Sequence, residues 1–267
     1  VKAFQNALGE SIGHIGEKEL DICFYKAKAQ ALDGKTKDAL ATYNAIIKYN
    51  KDARAYYLRG DLYMDMGEEK KGKADFESAV QHGKKNYEIY IGIYESLSRH
   101  EKKDEGQKYL SAAMEIKGDK PEDELYKGRI SYLLGENKDA ISYLEKAKEH
   151  KQMLASYYLG LAYDANGDSA KKCIAEYIKS GVATSYDLYE LGTQEMKDGN
   201  YKNALTYFNS GLELEKVPNK QNLMKSAIAA YEYSGDFDSA KKMMKEYLKA
   251  YPDDEEAKHE NTFLETR

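Results

Sequence analysis

The chain has no tryptophan, two cysteines, three prolines and six phenylalanines. Each shortage excludes something. Cys23 and Cys173 stand far apart, so no disulfide framework can organise the chain, and both read as small buried hydrophobes. With so few prolines, long stretches are free to run as helix. No apolar run approaches the roughly 18–20 residues of a membrane helix, so the given chain offers no direct membrane insertion. An excess of basic charge is missing too. The formal net charge is −5, which argues against nucleic acid as a partner, since that function needs a basic face or stripe. Lysine pairs such as Lys70-Lys71, Lys84-Lys85 and Lys102-Lys103 lie among acidic residues and read as solvated helix surface.

What is abundant is Lys, Glu, Ala and Leu, a helix-leaning composition, together with 25 tyrosines. Tyrosine suits a thin, two-layer protein, because its ring can be buried while its hydroxyl reaches water. The sequence also repeats with a period of about 34 residues. A small residue recurs at Ala27, Gly60, Gly128, Gly160 and Gly192. A turn glycine follows at Gly34, Gly67, Gly135, Gly167, Gly199 and Gly235. A second small residue comes at Ala39, Gly72, Gly106, Ala140, Ala170, Ala204 and Ala240. Four residues further on stands a large apolar one, at Tyr43, Phe76, Leu110, Leu144, Ile174, Phe208 and Met244. Ala79, Ala113, Ala147 and Gly211 mark a later small position.

Each position has a mechanical reason. Small residues let two helix backbones approach where a larger side chain would overpack. The glycine ends the first helix, where a left-handed residue is needed. The small and large residues of the second helix share one face and make a narrow apolar stripe. Tyr56-x-x-x-Gly60-x-x-Tyr63, followed by Gly67, Gly72, Phe76 and Ala79, is the clearest instance.

This pattern resembles the tetratricopeptide repeat family over nearly the whole chain, and a bacterial member is expected. The resemblance implies an all-α fold, a right-handed α-α superhelix of about seven helix pairs plus terminal helices, in a single domain over residues 1–267. Units are expected to start near residues 20, 53, 87, 121, 153, 185 and 221. A partial repeat over 1–19 is expected to precede them, and a capping helix over 255–267 to follow. Because Lys2–Leu8 matches second-helix segments, an upstream segment is expected. Departures occur at Tyr94 and Glu101 in the third unit, at a shortened turn around Gly167, and at Pro218.

Sites for chemistry are not found. Gly34-Lys35-Thr36 resembles the end of a phosphate-binding loop, but Ala29 stands where that motif needs its first glycine. His14, His82, His100, His150 and His259 are scattered, with no pair at metal-ligand spacing. No catalytic residue, metal or cofactor is therefore nominated, and an enzyme is not expected. The resemblance points to a protein- or peptide-binding scaffold whose first helices line a concave groove. By register the groove positions are Phe24, Tyr57, Ile91, Leu125, Tyr157 and Tyr189, with Met64, Tyr132 and Met196 one turn on and Arg129 between the rows. The row that would clamp the acidic tail of a heat-shock chaperone carries no asparagine, so that specialisation is not expected. Two alternatives are a spacer in a lipid-tethered cell-envelope assembly and a ligand-sensing regulatory module. Cytoplasmic and extracytoplasmic placements, and the oligomeric state, stay open.

Overall fold

The computed structural model describes residues 16–118, 120–163 and 168–267. The partial repeat expected over 1–19 lies outside these except for its last four positions, and so does the turn at Gly167. All secondary structure among the described residues is helical, and the chain divides into two compact units, Val1–Ile174 and Ala175–Arg267.

The first unit holds α1 (Glu17–Leu32), α2 (Thr36–Asn50), α3 (Ala53–Asp65), α4 (Glu69–His82), α5 (Tyr87–Arg99), α6 (Lys103–Met114), α7 (Pro121–Leu134), α8 (Asn137–Glu149) and α9 (Leu154–Ala162). The boundary falls inside α10 (Asp168–Lys179). The second unit continues with α11 (Ser185–Lys197), α12 (Tyr201–Leu212), α13 (Lys220–Ser234), α14 (Phe237–Ala250) and α15 (Glu255–Leu264). Within each unit the helices pack as consecutive pairs, α3 on α4 and α11 on α12 for example, and each first helix also meets a neighbouring pair. Among the described residues, no helix is long and apolar enough to cross a membrane.

Two kinds of glycine make the pairs. Gly67 is at φ +74 with nothing within 4 Å of where a Cβ would stand, so it is needed for its backbone conformation. Gly34, Gly135, Gly199 and Gly235 do the same in their units. Gly60 is needed for space: a Cβ there would come 2.9 Å from the Phe76 ring and 3.0 Å from the Gly72 carbonyl oxygen. The same aromatic sits against glycine in the second unit, where a Cβ on Gly192 would come 2.3 Å from Phe208. Phe76 and Phe208 are fully buried.

Some helix starts are capped by short polar side chains. Asp52 accepts from the Arg54 backbone N–H at 2.8 Å and Asn86 from that of Glu88 at 3.1 Å. At α11, Thr184 and Asp187 form a reciprocal capping box. Asp187 also accepts the Tyr177 hydroxyl at 2.7 Å. Tyr177 stands where other units carry a small residue, and Tyr247 repeats the substitution, its hydroxyl donating to Asp254 at the start of α15. Both rings are buried, so each ties the end of one pair to the cap of the next helix.

Candidate partner-binding groove

The first helices of the Val1–Ile174 unit are joined by a ladder of ion pairs. Asp21 on α1 meets Arg54 on α3 at 2.9 Å. Asp61 on α3 accepts from both Ser96 and Arg99 on α5, each at 2.5 Å. Asp65 on α3 lies 3.1 Å from the His100 ring that ends α5. Glu88 and Glu95 on α5 hold Arg129 on α7 at 3.3 and 3.1 Å. The Arg129 guanidinium also lies 5.5 Å over the Tyr158 ring of α9. Carboxylates outnumber arginines along this ladder.

Between α3 and α5 the ladder encloses a recess of about 250 Å³, lined by Arg54, Tyr57, Leu58, Glu88, Gly92 and Glu95 among others. Tyr57 forms its aromatic wall. A Cβ on Gly92 would come 2.6 Å from the Tyr57 ring, so the glycine is what lets the ring lie across α5. Burial, with Asp61 and Glu95 nearby, pushes the Tyr57 phenol well above its usual range and keeps it a neutral hydrogen-bonding group.

The ten groove positions expected from sequence divide by burial. Phe24, Met64, Ile91, Leu125 and Tyr157 are buried, Ile91 completely. A side chain with almost no free surface has no area to offer a partner, so the structure makes these five packing residues. Phe24 is additionally covered by Arg54, whose guanidinium lies 3.7 Å above its ring. Tyr57, Arg129 and Tyr132 in the first unit, and Tyr189 and Met196 in the second, are half-buried and keep a free edge. Tyr57 and Tyr189 repeat one arrangement, each tilted against the phenylalanine admitted by its glycine, with ring centres 6.4 Å from Phe76 and 6.2 Å from Phe208. Both rings pack on their phenylalanine and stay partly exposed.

Sequence reading missed Arg54, Glu88 and Glu95 as partners of this face. It also missed that Asp61, Asp65 and His100 bring one ligand atom each within 4.8 Å of one another. Arg99 already neutralises Asp61, so the trio reads as part of the ladder.

Tetratricopeptide repeat family models match residues 53–81, in the first unit, and 221–254, in the second. No curated protein matches the chain. A tetratricopeptide repeat protein from Parabacteroides merdae is similar at a TM-score of 0.50 and 12% identity, over 86% of this chain and 90% of that one. The type IV pilus biogenesis factor PilW is similar at a TM-score of 0.49 and 16% identity, over 90% of this chain and 96% of its own. At 12% identity the likeness to the Parabacteroides merdae protein is one of fold alone. The turn glycines, the glycine-admitted aromatics and the paired helices agree with the two matched segments, which are tetratricopeptide repeats.

Proposed function

We propose that the chain is a protein- or peptide-binding scaffold and not an enzyme, and that the first-helix face of the Val1–Ile174 unit receives the partner. The observation that carries this reading is the recess between α3 and α5. It joins an aromatic edge, Tyr57, to two carboxylates, Glu88 and Glu95, on helices held in place by Arg129. Tyrosine is among the residues enriched at binding hot spots. Tyr132 extends the face in the same unit. Tyr189 and Met196 offer a second accessible edge in the Ala175–Arg267 unit.

The test is hydrogen exchange on the intact chain with and without a partner recovered by pull-down and then purified. Added protection concentrated in α3, α5 and α7 supports the reading. Protection confined to second helices such as α4, α6 and α8 contradicts it.

A further inference from the structure

The second unit contains a larger cavity that the groove reading does not use. It measures about 540 Å³ and lies among α13, α14 and α15, a size that takes an extended side chain with its flanks. Phe237, Met244 and Tyr247 form apolar wall, and Glu232, Glu256 and Glu260 supply carboxylates. Two of its aromatic residues, Tyr233 and Phe263, are exposed at 69% and 43%.

Its charge is unbalanced in one direction. Lys225, the basic residue of the lining, is already bound to Asp254 at 2.9 Å and to Glu256 at 3.3 Å. That leaves the half-buried Glu232 and Glu260 as neighbouring carboxyls. One Glu232 oxygen, Oε1, is shut off from solvent and accepts no hydrogen bond among the described residues. Burial, and then the charge of Glu260 and a hydrogen bond shared with it, raise Glu232 above its usual range. A buried acceptor without a donor is unfavourable, and a cation placed between two such carboxyls relieves both problems at once.

The rim already holds a group of that kind. The Arg267 guanidinium lies 4.9 Å over the Phe263 ring and 5.8 Å over that of Phe237, and both rings line the cavity. Aromatic faces attract guanidinium through their quadrupole, and a planar guanidinium has enough donors to bridge two carboxylates.

We propose that this cavity is a second binding site, which takes an arginine side chain from a basic segment of a protein partner, with Glu232 and Glu260 binding the guanidinium and the partner's arginine taking the place of Arg267 against Phe237 and Phe263. The site goes beyond the groove of the first unit, and the two fail separately.

The experiment is fluorescence anisotropy of the intact chain with a labelled synthetic peptide of repeating Arg-Leu-Ala. A matched peptide carries citrulline, the neutral isostere, in place of arginine. Saturable binding of the arginine peptide is expected, with the citrulline peptide weaker by roughly tenfold or more. The E232Q/E260Q double variant is expected to bring the arginine peptide down to the citrulline level. E136Q/E149Q, on the first unit's surface, removes the same charge and is expected to have little effect. Phe263→Ala, which leaves the carboxylates in place, is expected to weaken the arginine peptide more than the citrulline one. Circular dichroism confirms that each variant is folded. The proposal is overturned by absence of saturable binding, by equal affinity for the citrulline peptide, or by equal loss in the two double variants.

Discussion

Tyr94 on α5 lies directly over Gly106 on α6: a Cβ on Gly106 would come 3.0 Å from the tyrosine ring and 3.1 Å from its Cα. In the units of Gly60, Gly128, Gly160 and Gly192 the glycine is on the first helix and the bulk on the second, as Phe76, Leu144, Ile174 and Phe208. In this unit the first helix carries the bulk, and the second helix gives way. Because two of the crowding atoms at Gly106 are Tyr94 backbone, they cannot swing aside. Gly106→Ala is expected to cost about 1–3 kcal/mol through overpacking, read as a shift in denaturant midpoint. An unchanged midpoint would mean that α5 and α6 can slide apart freely.

Glu101 is at φ 61, at the position where Gly34, Gly67, Gly135, Gly199 and Gly235 turn their units. A residue with a β-carbon is strained there, and glycine is not. Glu101→Gly is expected to stabilise the protein by about 0.5–1 kcal/mol, the relief of strain less the extra entropy glycine loses on folding. Gly67→Ala is expected to shift the urea midpoint the other way. A destabilised Glu101→Gly protein would show that the glutamate side chain contributes more than its backbone costs.

Asp254 caps α15 and is held by three donors, the Tyr247 hydroxyl at 2.5 Å, the Lys225 ammonium at 2.9 Å and the Ala257 backbone N–H at 3.1 Å. These bonds, the tyrosine's first, pull its carboxyl well below the usual range. A carboxyl depressed by folding adds stability that is fully present above its unfolded value, about 3.9. That stability is lost as pH falls through the unfolded value toward the folded one. Urea midpoints measured from about pH 6 to about pH 3 are therefore expected to fall less steeply in Asp254→Asn than in the parent. Parallel curves would place the acid sensitivity in other groups.

The parts of this structure that can be read from sequence are those set by one residue's local needs. Gly67 announces a left-handed turn and Gly60 a close helix crossing, because no other residue meets either need as well. The compensation between Tyr94 and Gly106 is less legible. Tyr94 stands out as a departure and Gly106 as an ordinary small residue, and only their contact shows that one answers the other. The groove is less legible still. Ile91 and Tyr57 occupy the same position in successive units, yet Ile91 is fully buried while Tyr57 keeps an edge, since exposure depends on which side chains the neighbouring helices bring. Arg54 over Phe24, and Arg129 between Glu88 and Glu95, join residues at least 30 positions apart and leave no local signature. The second-unit cavity did leave a faint one: Glu256, Glu260 and Phe263 fall on one face of α15 at spacings of four and three.

On the reading proposed above, the first-helix face of the Val1–Ile174 unit binds a partner through Tyr57. The most direct measurement is the affinity of the recovered, purified partner for the parent chain and for Tyr57→Ala, with unfolding midpoints recorded beside it because Tyr57 also packs on Phe76. A folded Tyr57→Ala protein is expected to lose about 2 kcal/mol of binding, roughly thirtyfold in affinity. Undiminished affinity in that folded protein would contradict it and move the binding surface away from the recess between α3 and α5.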